Sequence, residues 1–142
     1  MDDEIIIAVV KRLGLEVVDG REAPLGHDPK DYIEKSYICG REIILGIFED
    51  PERRLISFFH EVGHVLLSDE FKEKWNYSTL HLEIECWNLG IELARTDGVL
   101  FSDAALKWGY EQALGYAGHD ERELVDWAWA ERKKKLFVNN RP

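Results

Sequence analysis

The segment from Phe58 to Leu67 constrains the fold more than any other part of the chain. It reads FFHEVGHVLL, an apolar run that is interrupted by two histidines and a glutamate. Asp50 and Pro51 precede it, a helix-capping residue followed by the residue that is favoured at the first helical position. The pattern predicts a helix that runs from Pro51 to about Ser68.

The apolar and polar residues of this predicted helix fall on different faces. Successive residues turn by about 100°, so His60 and His64 lie one turn apart and about 40° from each other. Glu61 flanks the pair, and Gly63 is the smallest residue beside it. The stripe that faces away from the histidines is apolar and consists of Leu55, Phe58, Phe59, Val62, Val65 and Leu66. We therefore expect the helix to bury one face in the core and to offer the other to a site.

Two histidines at this spacing can bind one metal ion. Their imidazole nitrogens reach Zn²⁺ at about 2.0–2.1 Å. In HExxH helices the glutamate is the general base, which takes a proton from water and later delivers it to the leaving amine. The motif predicts a zinc site with His60 and His64 as ligands and Glu61 as the catalytic base. A chance match on an ordinary polar helix face is the competing interpretation.

The next predicted helix, Leu80 to about Arg95, is where a third ligand is expected, because catalytic zinc usually has three protein ligands. Its polar face contains His81, Glu85, Asn88, Glu92 and Arg95. Glu83 instead falls near the middle of the apolar arc, where an unpaired carboxylate would be costly. We predict Glu83 as the third metal ligand and keep Glu85 as the alternative. Gly90, on the same face as Glu83, would let the two helices approach closely.

The rest of the chain predicts an α+β fold. A first helix is expected to end at Leu13, followed by a short strand within LEVVDG and a loop over residues 21–35. SYICGREIILGIF is typical of a hairpin with its turn near Gly40. A further helix is expected to begin near Ser102 and to end among Gly115 and Gly118. The last helix is expected to begin near Asp120. Together these elements predict a small N-terminal antiparallel or mixed sheet packed on a helical bundle that carries the HExxH helix.

The length of 142 residues suits a single domain. Residues 1–50 are expected to form the first helix and the sheet, 51–95 the metal-site helix pair, and 96–142 the C-terminal helices. In the last of these, Trp127 and Trp129 are about 200° apart and cannot share one face. Exposure of one of them would mark a partner surface.

Charge and apolar runs exclude two classes of partner. The net charge is −10, whereas a surface that binds phosphates needs clustered Lys and Arg, so no direct nucleic-acid partner is expected. The N-terminal apolar run is six residues long and follows acidic residues, and no run approaches a membrane span. The two cysteines form neither a CxxC motif nor a disulfide framework. We expect a cytoplasmic protein with no membrane partner.

HEVGH followed by EIECWNLGIELA resembles the ImmA/IrrE-like metallopeptidases, a phage- or mobile-element-associated family of the gluzincin group. The resemblance covers residues from Ser36 to Arg95. The second helix of that family reads Glu, two variable residues and Ala-Asn, which assigns the ligand glutamate to Glu83 and leaves Cys86 and Trp87 as departures. The resemblance implies a zinc-dependent peptidase that acts on regulatory proteins such as repressors, commonly beside a helix-turn-helix partner.

Other candidate site residues have weaker support. A peptide-cleaving zinc site usually needs a further donor that stabilises the oxyanion. Tyr77, in the loop before the ligand helix, is a candidate auxiliary residue beside Glu85, although an ordinary loop tyrosine explains it as well. His81 belongs to a polar helix face, and His119 precedes a helix cap, so both have ordinary surface explanations.

Three functions agree with these patterns. The first is a zinc metallopeptidase acting on a protein or peptide substrate. The second is a non-catalytic regulatory module that uses a metal to stabilise its fold and binds a protein partner. The third is a structural domain without a metal.

Overall fold

Four α-helices and a three-stranded sheet form the described part of the chain. The computed structural model describes residues 2–22, 28–70, 79–116, 127, 128 and 131. The helices are α1 (Asp2–Leu13), α2 (Pro51–Glu70), α3 (Thr79–Thr96) and α4 (Asp103–Gln112). The strands are β1 (Glu16–Asp19), β2 (Tyr37–Cys39) and β3 (Glu42–Leu45). The α+β class predicted from the sequence is confirmed.

The sheet is mixed, with β3 in its centre. β3 pairs in parallel with β1 and antiparallel with β2, and Ile43 lies opposite both Val17 and Ile38. Gly40 and Arg41 form the turn of the predicted hairpin, and Gly40 has a positive φ of 60°, which glycine adopts without strain. Within the described residues β2 therefore has a strand partner on one side only.

Local signals explain where the helices begin. The side chain of Asp50 accepts a hydrogen bond of 2.9 Å from the backbone N–H of Glu52 at the start of α2. Ser102 caps α4 in the same way through the N–H of Ala105, at 3.2 Å. α1 ends before Gly14, whose φ is 65°.

None of the helices in the described residues combines the length and the hydropathy needed to cross a bilayer.

Three segments of the chain differ in detail from the prediction or lie outside the described residues. α4 ends at Gln112, before the predicted range of Gly115 to Gly118, and continues as a short 3₁₀ turn over Ala113–Tyr116, which ends within that range. The segment predicted as a loop over residues 21–35 contains the 3₁₀ turn Pro29–Tyr32. The helix predicted after Asp120 lies largely outside the described residues, of which 127, 128 and 131 are helical.

α2 lies between two hydrophobic cores. The first joins α1, the sheet and the apolar stripe of α2, including Phe58, Phe59 and Val62. The second packs Ile56 of α2 against α3 and α4, around the buried Tyr110. The sequence predicts only the first of these cores, because Ile56 lies outside the main stripe.

The backbones of α2 and α3 touch at two glycines. A Cβ atom on Gly63 would lie 1.9 Å from the carbonyl oxygen of Cys86, and one on Gly90 would lie 2.1 Å from the carbonyl oxygen of Phe59. Any side chain at either position would push the helices apart. The close approach predicted at Gly90 is therefore observed, and it brings the polar face of α2 against α3.

Candidate metal centre

The three predicted ligands lie together where α2 meets α3. His60 Nε2 donates a hydrogen bond of 2.8 Å to Oε2 of Glu83, and His64 Nε2 lies 3.3 Å from Oε1 of the same carboxylate. One ligand atom from each residue lies within 4.8 Å of the other two. Glu83 is 8% exposed, in agreement with its place on the apolar arc of α3.

The chemistry of this donor set fits a zinc ion. Two imidazoles and one carboxylate form a ligand set that catalytic zinc sites use, and it leaves a fourth position for a reactant. Burial strengthens the fit, because a carboxylate removed from water needs a cationic or hydrogen-bonding partner. His60, His64 and Glu83 are the residues that would bind the ion.

The electrostatics of the cluster favour a positive charge between the residues. Burial alone would lower the pKa of His60, but its hydrogen bonds with Glu61 and Glu83 outweigh this effect and raise the pKa to about 8. Burial alone would raise the pKa of Glu83, but its hydrogen bonds with His60 and His64 lower it to about 2. A protonated His60 thus places a positive charge where a bound cation would lie.

Glu61 lies beside the cluster without belonging to it. It is 5% exposed, and its Oε1 is 3.4 Å from Nδ1 of His60. It contributes no atom to the three-residue set but lines the same cleft. This position suits a residue that handles a proton next to the ligands.

Trp87 fixes the ring of His60 from one side. The two rings are parallel within 4°, with centroids 4.0 Å apart. Gly109 of α4 makes room for the indole, since a Cβ there would lie 2.8 Å from Cζ3 of Trp87. Within the described residues the buried indole N–H has no hydrogen-bond partner. Trp87 therefore packs directly on a predicted ligand.

Cys86 contacts the other histidine. Its Sγ lies 3.3 Å from Nδ1 of His64, the ring nitrogen that does not face Glu83. The side chain is fully buried, and burial, followed by the charge of Glu83, raises the pKa of the thiol. Cys86 is therefore a neutral thiol next to the site.

The ligands open onto a cleft of about 410 Å³. One part of its lining is residues 34–38, which lead into the edge strand β2, and Trp108 and Gln112 of α4 contribute another part. The hydroxyl of Ser36 accepts hydrogen bonds of 2.8 Å from the N–H of Gly46 and from the hydroxyl of Ser57, which ties this segment to β3 and α2. The site thus lies beside a fixed strand edge.

The other sequence candidates are not at this cluster. Glu85 is exposed and lines a separate cavity of about 260 Å³ with Trp127, and His81 is also exposed. Trp127 is 60% exposed, which is the condition under which it would mark a partner surface. Three further candidates lie outside what the structure describes: Tyr77, His119 and the side chain of Trp129.

Sequence reasoning did not find the contacts around the ligands. Cys86 and Trp87 follow Glu83 by three and four residues, and this spacing on a helix is the signal that could have located them. The lining residues Ser36, Ser57 and Trp108 carry no such signal, because they come from separate elements. The site therefore rests on its own geometry. Comparison with protein-family models, with curated proteins and with solved structures finds no match for this chain.

Proposed function

We propose that the protein is a zinc-dependent metallopeptidase that hydrolyses peptide bonds. His60, His64 and Glu83 bind the ion, and Glu61 is the general base. The observation that carries this proposal is the convergence of the two motif histidines with a buried carboxylate from the next helix, on an open cleft. A chance motif on a surface helix would have no reason to meet such a partner.

The residues divide the chemistry between them. When bound, Zn²⁺ supplies Lewis acidity that polarises the scissile carbonyl and acidifies the attacking water. Glu61 accepts the proton of that water and then transfers it to the leaving amine. Its contact with His60 Nδ1 orients the carboxylate toward the ligands. Trp87 restricts the ring of His60, so that little reordering is needed when the ion binds.

The charge of the cleft supports a divalent cation. Among the described residues that line it, three carboxylates, those of Glu34, Glu61 and Glu83, face one ammonium group, that of Lys35. Excess negative charge in a partly enclosed site is unfavourable unless a cation compensates it. A divalent ion bound by the histidines would compensate the two buried carboxylates, those of Glu61 and Glu83.

The edge strand supports a peptide as the substrate. β2 pairs with β3 alone among the described strands, so its outer backbone groups can pair with an extended segment. Such a segment would pass next to the ligands, because residues 34–38 line the same cleft. The resemblance to ImmA/IrrE-like peptidases supplies the substrate class: a regulatory protein such as a repressor, with a helix-turn-helix protein as the candidate partner, in the cytoplasm.

The Glu61→Gln variant tests this function. The glutamine keeps the shape of the side chain but cannot take a proton, so zinc content should remain at one ion per chain while hydrolysis falls by about 10²–10⁴-fold. Metal content is measured by elemental analysis of untagged protein. Cleavage of the candidate helix-turn-helix regulator is measured by mass spectrometry. Glu85→Gln is the matched control and should keep both properties. Undiminished cleavage by Glu61→Gln would refute the assignment.

A metal-stabilised binding module is the second candidate. It is favoured by the position of the ligands at the closest approach of α2 and α3, where an ion would link the two helices. This alternative predicts a stoichiometric complex with the regulator and no proteolytic fragments. Detection of fragments with wild type, but not with Glu61→Gln, would exclude it.

A further inference from the structure

The thiol of Cys86 is buried against Nδ1 of His64, and its position relative to α2 is fixed. Sγ lies 3.3 Å from Nδ1, and the thiol is fully buried. Cys86 contributes no atom to the three-residue cluster. Its backbone lies against Gly63, so the thiol has a set position relative to α2.

The hydrogen-bonding role of Nδ1 depends on whether a cation is bound. A neutral imidazole carries one hydrogen, so one nitrogen donates and the other accepts. Nε2 of His64 lies 3.3 Å from Oε1 of Glu83, an ionised carboxylate that can only accept. Without a cation Nε2 therefore carries the hydrogen, and Nδ1 must accept. Once Nε2 binds a cation the hydrogen is on Nδ1, which must then donate.

A thiol is able to serve in both states. It has a hydrogen to donate and lone pairs that accept, although it does both weakly. Backbone carbonyls and carboxylates, the common partners of metal-binding histidines, can only accept and suit the loaded state alone. We propose that Cys86 is a positioning residue that pairs with Nδ1 of His64 both before and after the metal binds. This inference rests on the proposed zinc site.

The direct test follows the hydrogen on the ring of His64. Long-range ¹H–¹⁵N NMR of ¹⁵N-histidine-labelled protein separates the two tautomers, at a pH where this ring is neutral. Metal-free wild type should carry the hydrogen on Nε2, and one equivalent of Zn²⁺ should move it to Nδ1. Because Glu83 and the cation set the tautomer, Cys86→Ala should keep this exchange but shift the Nδ1 resonance in both states. Cys86→Ser should shift it little, because a hydroxyl also donates and accepts. A hydrogen on Nδ1 in both states of the wild type would overturn the proposal.

Zinc affinity provides the second readout. Competition with a chromophoric chelator should show about tenfold weaker binding by Cys86→Ala, the low end of the effect of removing a partner from a ligand histidine. Cys86→Ser should remain close to wild type, which a merely space-filling role for the thiol would not require. Cys39→Ala, at the exposed second cysteine, is the matched control and should bind as wild type does.

The outcomes separate this inference from the proposed function. If the wild-type protein binds no metal, both the proposed function and the role of Cys86 are overturned. Wild type that binds one equivalent of Zn²⁺, together with unchanged affinity and an unchanged Nδ1 resonance in Cys86→Ala, would overturn only the role of Cys86. A thiolate-to-metal charge-transfer band in the Co²⁺-substituted wild type would also overturn it, because Sγ would then be a ligand rather than a partner of His64.

Discussion

The two faces of α3 carry the same kinds of side chain in opposite environments. The face toward α2 has Glu83, Cys86 and Trp87, all buried, and each contacts one of the motif histidines. The outer face has Glu85 and His81, both exposed. Glu83 and Glu85 are two positions apart and chemically identical. The comparison teaches that the burial of an ionisable side chain, not its identity, distinguishes the site from the surface.

The largest effect is expected from a change that separates the inner face from α2. In Gly63→Ala the new Cβ would lie 1.9 Å from a backbone carbonyl oxygen, which cannot rotate away as a side chain can. We expect the free energy of unfolding of the metal-free protein to fall by about 3 kcal/mol or more, measured by urea denaturation.

A graded series sharpens this prediction. Gly90→Ala also meets a backbone carbonyl and should be similarly costly, whereas Gly109→Ala meets only the ring of Trp87 and should cost less. Glu85→Ala, on the outer face, should change stability by no more than about 0.5 kcal/mol. Equal stability of Gly63→Ala and wild type would mean that the helices are farther apart than described.

A smaller effect is expected when the inner glutamate alone is changed. Glu83→Gln keeps the size of the side chain and removes the charge that we propose binds the cation. Zn²⁺ affinity should therefore fall at least about a hundredfold, or about 2.7 kcal/mol. Glu85→Gln should leave the affinity unchanged, because its side chain is not in the cluster. Isothermal titration with Zn²⁺ measures both. Equal losses in the two variants would remove the distinction between the two faces.

The smallest effect is the pH dependence of the metal-free protein. The pKa of His60 rises from 6.5 to about 8 on folding, because the effect of burial is outweighed by its hydrogen bonds with Glu61 and Glu83. These bonds therefore stabilise the protein fully below pH 6.5. This contribution is lost as the pH rises through 8, a decrease on the order of 2 kcal/mol. The pKa of Glu83 is lowered to about 2, so its contribution is present above pH 4.5 and is lost only toward pH 2.

Urea denaturation at pH 6 and pH 9 measures this dependence. His60→Gln lacks the titrating ring. Its free energy of unfolding should therefore not show the decrease between pH 6 and pH 9 that His60 causes in wild type. Glu85→Gln should retain it, since the outer face takes no part. A wild-type protein that is more stable at pH 9 than at pH 6 would contradict the pairing of His60 with Glu61 and Glu83.

The elements with strong local signals were predictable from the sequence. α2 and α3 begin and end within two residues of the predicted positions, because capping residues and apolar periodicity act over a few residues. The hairpin of β2 and β3 was also predicted from its turn. The parallel pairing of β1 with β3 was not, because it joins segments separated by the whole region between Asp19 and Glu42.

The candidate site was predictable to a similar extent. The helical positions of His60, His64 and Glu83 follow from spacing alone, and the burial of Glu83 agrees with that argument. The stacking of Trp87 on His60 is a different matter. It depends on the rotamers of both side chains and on the space that Gly109 leaves in α4, and neither can be read from a periodic pattern.

The sequence by itself determined which residues share a face of each helix, because the backbone hydrogen bonds of an α-helix set the rotation per residue. Only the tertiary structure decided that the two faces meet. That meeting depends on backbone contact at Gly63 and Gly90, and close packing permits one arrangement of the side chains around such a contact. It brings Glu83 between the histidines and gives each ring its own neighbour, an indole for His60 and a thiol for His64.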